Sequence, residues 1–421
     1  MPRTELDQEQ FYGLGIAPTL LERLESLGFK HPTPIQFKAI PVATAGDDVI
    51  GIAQTGTGKT LAFSIPMLQQ MSARGKMGLV LLPTRELAVQ VEETLRKLAG
   101  PLGLRTAVLI GGTSMGPQLK ALRAKPHVIV ATPGRLIDHL EQKNVKLDRV
   151  GVLVLDEADR MLDMGFAPQL KKILVTVPTD RQTMLFSATM PEEIAKIART
   201  YMKSPLRVEV APSGTAAEKV DQEVYIVPKA EKTQLLARLL KEYKGTVLVF
   251  TRTKHGARKV ARDIQHMTHT VSEIHSNRSQ HQRQDALKGF SSGKYRVMVA
   301  TDIAARGIDV KNIELVINYD LPDHTEDYVH RIGRTGRAGM AGKAISLADP
   351  AQKADIRQIE RLIRKDLQVK TPSGELVDRS RDAAVPQGSS QNRRAPRPPM
   401  RGGNRSHRGG GRSGGDRGRS R

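Results

Sequence analysis

The octapeptide AQTGTGKT, residues 53–60, follows directly on the apolar run VIGI of residues 49–52. Glycines in a turn after a strand let backbone N–H groups approach an anion at the start of a helix, whose dipole favours negative charge. The pattern therefore predicts a phosphate loop, in which Lys59 neutralises phosphate charge and Thr60 offers its hydroxyl to Mg²⁺. Ala53 stands where the strict form of this pattern has its first glycine.

Six further polar motifs also begin where an apolar run ends. They are PTRELA (83–88), ATPGR (131–135), DEAD (156–159), SAT (187–189), TRTK (251–254) and ATD (300–302). Short, β-branched apolar runs with little alternation are typical of strands buried on both faces of a parallel sheet. Because ligands bind beyond the carboxyl ends of such strands, these motifs predict a binding surface.

Two carboxylates, Asp156 and Glu157, end the apolar run VLVL of residues 152–155. A strand-end carboxylate beside a phosphate loop can hold Mg²⁺, and an adjacent one can orient and deprotonate water. We therefore expect Asp156 and Thr60 to be the magnesium ligands and Glu157 to be the general base. The ordinary alternative is a solvated acidic turn, and the buried apolar lead-in argues against it.

The composition points to a polyanionic partner. The 421 residues carry a formal net charge of +22 and no cysteine, which excludes a disulfide framework and thiolate metal sites. Ten arginines and one aspartate fall in residues 391–421, and the rest of the chain is basic as well. Such an excess of positive charge favours nucleic acid over a membrane surface as the partner.

The sequence shows no sign of membrane insertion or export. No apolar stretch approaches the ~20 residues that cross a bilayer, and MPRTELDQEQ lacks a signal segment, so we expect a soluble cytoplasmic protein.

Strands alternate with helical segments along most of the chain, which predicts an α/β fold in two domains. We place the first domain at residues 1–211, a Pro/Gly/Ser-containing linker at 212–218, and the second domain at 219–370. Residues 371–421 hold too little apolar surface to offset the entropy of ordering, so we expect a disordered tail there. Its RGG segments resemble those that bind single strands without sequence preference.

With further motifs, the chain resembles the DEAD-box ATP-dependent RNA helicase family over residues 11–345. These motifs are GFKHPTPIQ (28–36), GG (111–112), QHQR (280–283), ATDIAARGID (300–309) and HRIGRTGR (330–337). The resemblance implies two tandem RecA-like (P-loop NTPase) domains, each a parallel sheet flanked by helices, with ATP in the cleft between them. MLDMGF after DEAD, together with the Arg/Gly-rich tail, looks most like the bacterial RhlE-type subgroup.

The resemblance also assigns nucleotide contacts. Gln36 is expected to read the adenine edge, with Phe29 stacking on the base and Phe11 packing nearby. The remaining contacts are expected at Ala53, Gln54, Thr55, Gly56, Thr57, Gly58, Lys59, Thr60 and, on the ribose, Asp309. Arg334 and Arg337 resemble arginine fingers that stabilise the charge of the transferring phosphoryl group.

On the RNA side, the resemblance implies a surface that runs along both domains and reads the backbone rather than the bases. The expected contacts are Pro83, Thr84, Arg85, Gly111, Gly112, Thr132, Pro133, Gly134, Arg135, Arg252, Arg283, Thr301, Arg306 and Gly307. Ser187 and Thr189 are expected to couple this surface to the nucleotide. Family members recognise the sugar 2′-OH, so RNA is expected over DNA.

The function expected is local unwinding of short RNA duplexes, driven by ATP hydrolysis and domain closure. The main alternative is an ATP-gated RNA clamp that displaces bound proteins with little strand separation. A DNA helicase and a non-enzymatic binding module are further alternatives. The expected partner is single-stranded and short duplex RNA, with ribosomal precursors or RNA-decay machinery as further candidate partners and no membrane. We expect a monomer, with a dimer as the alternative.

Overall fold

The computed structural model describes residues 10–54, 56–210, 220–305, 310, 313–336 and 342–377. Several expectations lie outside these residues. They concern Thr55, Arg306, Gly307, Asp309, Arg337, the linker at 212–218 and the tail from residue 378 onward.

The first domain is built on a parallel sheet of seven strands. In chain order these are β1 (Val49–Ile52), β2 (Met77–Leu81), β3 (Thr106–Leu109), β4 (Val128–Ala131), β5 (Val150–Leu155), β6 (Gln182–Ser187) and β7 (Leu206–Glu209). Their order across the sheet is β3-β4-β2-β5-β6-β1-β7. Every pairing is parallel, as the unbroken apolar runs predict.

Both faces of this sheet carry apolar core. Along β2, Leu79 and Leu81 enter the core on one face, and Val80 enters the core on the other. Successive side chains of a strand point to opposite faces, so a strand covered on both sides needs apolar residues at every position. Gly51 in β1 serves this packing, because a Cβ there would lie 2.4 Å from the ring of Phe186.

Nine helices cover the sheet within the described part of the first domain. They are α1 (Pro18–Ser26), α2 (Pro34–Ala45), α3 (Lys59–Arg74), α4 (Arg85–Ala99), α5 (Met115–Arg123), α6 (Pro133–Glu141), α7 (Ala158–Asp163), α8 (Ala167–Leu174) and α9 (Glu192–Tyr201). Helix α3 begins at Lys59, inside the predicted phosphate loop. Helix α4 begins after Thr84, whose hydroxyl accepts from the Leu87 N–H at 3.3 Å.

The second domain repeats this architecture. Its strands are β8 (Val220–Ile226), β9 (Val247–Phe250), β10 (Val271–Ile274), β11 (Val297–Ala300), β12 (Leu315–Asn318), β13 (Gly342–Ala348) and β14 (Gln368–Lys370). The order β10-β11-β9-β12-β13-β8-β14 is that of the first sheet, strand for strand, and all pairings are again parallel. The chain therefore contains two copies of one fold, although their sequences show no repeat that aligns by eye.

Six helices flank the described part of the second sheet. They are α10 (Lys232–Glu242), α11 (Lys254–His266), α12 (Gln280–Ser291), α13 (Asp302–Ala305), α14 (Thr325–Ile332) and α15 (Lys353–Ile363). The last helix, α15, ends at Ile363. It ends there because Arg364 takes a left-handed conformation (φ 53°), and the chain then enters β14.

Residues beyond β14 also belong to the second domain. The N–H of Thr371 donates to the Glu375 carbonyl at 2.8 Å, which closes a turn, and the N–H of Val377 donates to the Val369 carbonyl at 2.9 Å. Val377 packs against the core of the domain. The folded part therefore extends to Val377, which corrects the expected start of the tail at residue 371. No helix among the described residues is long and apolar enough to cross a membrane.

Candidate active site

The phosphate loop connects the carboxyl end of β1 to the start of α3. Gly58 has φ +91°, a left-handed conformation that L side chains rarely adopt. The buried Lys59 ammonium folds back into the loop and donates from Nζ to the Ala53 carbonyl at 2.8 Å. The Thr57 hydroxyl donates to the Gln54 carbonyl at 2.7 Å. The loop is thus held in a compact form at the amino end of a helix, where anions bind favourably.

Gln36 is built into this loop. Its Oε1 accepts from the Thr33 N–H at 2.9 Å, which closes the capping box of α2, and its Nε2 donates to the Gly58 carbonyl at 2.9 Å. A Cβ on Gly58 would lie 2.4 Å from that Nε2. The side chain expected to read adenine therefore also supports the phosphate loop directly.

The two aromatic residues of the expected adenine site differ in their surroundings. Phe11 is buried in the core of the first domain. Phe29 is 39% exposed, between α1 and α2, which leaves a ring face accessible. Phe29 can therefore offer a stacking surface as it stands, whereas Phe11 acts through packing.

The two carboxylates after β5 are buried. Burial raises the pKa of Asp156 to about 6, and the nearby charge of Lys59 opposes part of that rise. One oxygen of Asp156 accepts from the Glu157 N–H at 2.9 Å. Glu157 itself adopts a left-handed conformation (φ 51°), which is rare for a residue with a side chain and sets the direction of its carboxylate.

Arg160, one turn further along α7, holds the Glu157 carboxylate. Its Nη1 donates to Glu157 Oε2 at 2.9 Å, and both side chains are buried. The Nε and Nη2 atoms of Arg160 have no hydrogen-bond partner among the described residues. This arginine was not among the expected site residues, because a charged residue in a helical segment is ordinarily expected to be exposed to solvent.

The last aspartate of DEAD connects β5 to the SAT motif after β6. Asp159 Oδ2 accepts three hydrogen bonds: from the Ala188 N–H at 3.0 Å, from the Thr189 N–H at 2.9 Å and from the Thr189 hydroxyl at 3.0 Å. In return, the Asp159 N–H donates to the Ser187 hydroxyl at 3.2 Å. Ser187 and Thr189 are thus fixed to the carboxylate segment, and Asp159 is a site residue that the sequence prediction missed.

At the ends of β2, β3 and β4, the expected RNA contacts of the first domain come together. The guanidinium of Arg85 lies against Gly111 and Gly112, where a Cβ on Gly112 would clash with it. Burial lowers the pKa of Arg85, and the neighbouring cations Arg283 and Arg135 lower it further. Arg85, Arg135 and Arg283 are therefore close enough for their charges to interact.

The remaining residues of this group begin a helix or line its first turn. Thr132 precedes α6, Pro133 and Gly134 form its first turn, and Pro83 precedes Thr84 at the start of α4. Arg135 donates from its two Nη atoms to the Thr113 carbonyl at 3.2 and 3.3 Å. Helix amino ends present backbone N–H groups, which suit phosphate oxygens.

In the second domain, Arg252 and Thr301 lie at the carboxyl ends of β9 and β11. Arg252 pairs with Asp323 at 3.1 Å, and its side chain is 46% exposed. Thr301 is half-buried, and its N–H donates to the Ile274 carbonyl at 3.3 Å. Arg283 behaves differently, because its Nε donates to Glu86 Oε1 of the first domain at 2.7 Å. Both of those side chains are buried.

A small cavity lies between the two domains. It is lined by Arg160, Phe250, Asp302, Asp327, His330, Arg331 and Arg334. Arg160 comes from the first domain and Arg334 from the second, so the expected arginine finger faces the segment that carries Glu157. Arg331 supports this wall: it donates to Asp302 at 2.5 and 2.7 Å, and its guanidinium lies 5.1 Å from the ring centre of Phe250.

Comparison with protein families agrees with this architecture. The model of the DEAD/DEAH box helicase family matches residues 33–197, and the model described as the helicase conserved C-terminal domain matches residues 231–339. Each match falls within one of the two sheets and their helices.

Curated relatives are similar over most of their length. The chain is 44% identical to the ATP-dependent rRNA helicase RRP3 of Debaryomyces hansenii, over 90% of this chain and 80% of that protein. It is 42% identical to the DEAD-box ATP-dependent RNA helicase 30 of Arabidopsis thaliana, over 97% of this chain and 69% of that protein.

Solved structures show the same fold. Dbp5 of S. cerevisiae bound to RNA and ADP BeF3 matches with a TM-score of 0.78 and 28% identity, over 89% of this chain and 97% of that chain. Mss116p bound to ssRNA and AMP-PNP matches with a TM-score of 0.80 and 27% identity, over 88% of this chain and 81% of that chain. With two matching family models and long, closely similar relatives, the chain belongs to the DEAD-box family of ATP-dependent RNA helicases.

Proposed function

We propose that the protein separates short RNA duplexes by closing its two domains around ATP and one RNA strand. The observation that carries this proposal is the interdomain cavity, where Arg160 of the first domain and Arg334 of the second line the same space. A charge that develops between the domains during hydrolysis would meet cations from both sides. Closure of this kind couples two binding sites through one conformational change.

The nucleotide is bound mainly by the first domain. Lys59 leaves the Ala53 carbonyl and binds the terminal phosphates, and the loop N–H groups cradle phosphate oxygens. Gln36 and Phe29 hold the adenine. Because Gln36 also holds the Gly58 carbonyl, recognition of the base adjusts the phosphate loop.

The residues at the carboxyl end of β5 fit a magnesium ion. Asp156 is buried and its pKa is raised, so its carboxylate lacks a full counter-charge even with Lys59 nearby. Asp156 and Thr60 would hold the ion, which supplies positive charge to the phosphates. Oxygen ligands of this kind are those that Mg²⁺ prefers.

Hydrolysis uses one base and cations from the opposite domain. Glu157 accepts a proton from the attacking water, and Arg160 holds its carboxylate in position. Arg334 stabilises the charge on the transferring phosphoryl group, and we assign the same role to Arg337 on the family pattern alone. Cations that arrive only on closure stabilise the transition state more than the ground state.

RNA binds along the carboxyl ends of the strands in both domains, hereafter the strand-end surface. Arg85, Arg135 and Arg252 contact phosphates, and helix amino ends contribute backbone N–H groups. The bonds of Asp159 to Ser187 and Thr189 connect this surface to the DEAD segment, so a shift in either one moves the other. Such contacts position a strand without reading its bases.

Ribosomal RNA precursors are the substrates we favour, because the name of the D. hansenii relative describes an rRNA helicase. A cytoplasmic location remains an expectation from the sequence.

Membership of the bacterial RhlE-type subgroup rests on the sequence MLDMGF and the Arg/Gly-rich tail. The relatives reported above are fungal and plant proteins.

The test is the Glu157→Gln variant, compared with Glu193→Gln, which changes an exposed glutamate of α9. Glu157→Gln should bind ATP and RNA but release no phosphate above background, whereas Glu193→Gln should behave as the parent protein. Hydrolysis that persists in Glu157→Gln would contradict the assigned base. In the parent protein, separation of a short duplex must require ATP. ATP-dependent RNA binding without strand separation would favour the clamp.

A further inference from the structure

A polar groove runs down the side of the second domain between α11, α12 and the edge strand β10. Its volume is about 460 Å³. We call it the α11 groove and define it by Arg258, Arg262, Ser272, Arg278, Gln282 and Tyr295. Neither the nucleotide contacts nor the RNA contacts assigned above include any of these six residues.

Two arginines of the groove have free charge. Arg258 and Arg262 are one helical turn apart on α11, so they share a face and are separated by about 6 Å along the helix. Both are exposed, and no carboxylate among the described residues pairs with either one. A helical pair of this kind presents two positive charges in a row to the groove.

Two acidic side chains, Glu273 and Asp285, also line the groove. Glu273 forms an ion pair with Arg278, and Asp285 lies 2.8 Å from Nδ1 of His281. The three arginines of the lining, Arg258, Arg262 and Arg278, outnumber its two carboxylates, so the groove carries a net positive charge. A groove that served a cationic ligand would show the opposite balance.

The groove also has buried polar atoms that lack partners. The Ser272 hydroxyl and the Arg278 Nε are buried, and neither has a hydrogen bond within the described residues. Buried donors without partners cost free energy unless a ligand or water satisfies them. Donors beside uncompensated arginines suit an anion with several oxygen acceptors, such as a phosphate.

The upper end of the groove adjoins the strand-end surface. Helix α11 begins two residues after Arg252, and its first residue, Lys254, donates to the Asn277 side chain at 3.2 Å. Asn277 and Arg278 lie in the loop that leads from β10 into α12, where Arg283 is located. Arg258 and Arg262 then continue down the helix, away from the strand ends. The basic side chains of α11 therefore continue from the strand-end surface into the groove.

We propose that the α11 groove binds the phosphate backbone of RNA that extends beyond the strand-end surface. The inference rests on the proposed function, since it needs RNA to lie on the strand ends first. Continuity with that surface favours RNA over an acidic protein segment, which would have no reason to begin there. Long strands would thereby bind more tightly than strands that cover the strand-end surface alone.

The test uses the double variant Arg258→Gln/Arg262→Gln. Its control is Arg361→Gln/Lys365→Gln, which removes the same charge from exposed positions at the end of the second domain. Affinities are measured for two single strands in the presence of a non-hydrolysable ATP analogue. The short strand is the shortest that fully stimulates ATP hydrolysis by the parent protein, and the long strand extends it at both ends.

The groove variant should bind the long strand roughly tenfold more weakly than the parent protein, while the control variant should not differ from the parent. The slope of log affinity against log salt should fall by about 1.4, since each lost phosphate contact on a single strand contributes about 0.7. Short-strand affinity should stay the same. Equal affinities of parent and groove variant for the long strand would overturn the proposal and favour a protein ligand or a solvated helix.

A nuclease protection experiment gives a second, independent measure. The parent protein should protect a longer RNA segment than the groove variant does, and an identical protected length would also overturn the proposal. Failure of the proposed function has a different signature, because the parent protein would then show no ATP-dependent binding of the short strand. The two failures are therefore distinguishable.

Discussion

Arg283 and Glu86 are 197 residues apart in sequence, yet Nε of Arg283 donates to Oε1 of Glu86 at 2.7 Å and joins the two domains. Both side chains are buried, and the second oxygen of Glu86 has no partner among the described residues. Arg283 was expected to contact RNA. In the structure it contacts the helix that carries Arg85, so it connects the RNA-facing segment of one domain to the other domain.

The first prediction concerns this ion pair. Glu86→Gln should weaken the contact between the domains, because Arg283 would keep its charge in a buried place without a counter-ion. Breaking one side of a buried pair costs about 3–5 kcal/mol, and the domains can avoid that cost by separating. Small-angle scattering with ATP analogue and RNA should therefore show a more extended protein than the parent.

A double-mutant cycle provides the control for that experiment. If the pair acts as described, Glu86→Gln/Arg283→Gln should be less damaging to closure than the sum of the two single changes. Strictly additive effects would show that the two side chains act independently, for instance through separate contacts with RNA.

The second prediction concerns Asp159. In Asp159→Asn, one acceptor oxygen becomes an NH₂ donor, so either the donors of Ala188–Thr189 or the Arg160 N–H loses its partner, and the remaining bonds lose their charged acceptor. Hydrogen bonds to a charged group contribute about 1.5–3 kcal/mol each. Duplex separation should fall by more than about tenfold while ATP affinity changes little. Asp180→Asn, at an exposed carboxylate paired with Lys76, is the matched control. A parallel loss of both activities would argue against a coupling role for Asp159.

The third prediction follows from the pKa of Asp156, which burial raises from 3.8 to about 6. Protonation of this group therefore favours the folded protein; the contribution is complete below pH 3.8 and is lost as the pH rises through about 6. Binding of Mg²⁺ needs the ionised form, so affinity for Mg²⁺–nucleotide should fall about tenfold per pH unit below pH 6. Titration of nucleotide binding from pH 5 to 8 measures it.

Asp156→Asn is the control for this pH dependence. The nucleotide itself takes up protons in the same range, and the variant retains that contribution while it lacks the carboxylate. If parent and variant lose affinity in parallel, Asp156 does not titrate in the binding equilibrium.

Sequence reasoning located seven of the strands because each contains a continuous apolar run and ends in a polar motif; these are β1, β2, β4, β5, β6, β9 and β11. It missed β14, since Gln368–Lys370 is a three-residue edge strand with one buried apolar side chain, Val369. Such a segment cannot be distinguished from a loop by pattern. The turn at residues 371–377 was missed for the same reason, because Val377 is an isolated apolar residue that packs against a core built by other segments.

The site was predicted less completely than the fold. Residues with a recognisable motif, such as Lys59 and Asp156, could be placed by their position after a strand. Arg160 and Glu86 could not, because their roles depend on partners brought near by tertiary structure. A charged side chain on a helix is ordinarily solvated, and burial against a second domain is a property that local sequence does not encode.

The last prediction concerns Gly58, whose positive φ and lack of a Cβ serve two different needs. Gly58→Ala must place an L residue in the left-handed region, at about 1–2 kcal/mol, and must also displace Gln36 Nε2 from 2.4 Å. Gly75→Ala has only the conformational cost, since φ there is +61° and nothing lies within 4 Å of an added Cβ. Thermal unfolding should therefore show a small loss for Gly75→Ala and a larger one for Gly58→Ala. Of these two variants, only Gly58→Ala should lose ATP affinity.

A double variant provides the control. Adding Gln36→Ala to Gly58→Ala should recover the steric part of the stability loss without restoring nucleotide affinity, since the adenine contact is then gone. Equal stability losses for the two glycine variants would show that the steric conflict between the added Cβ and Gln36 does not contribute to the loss of stability.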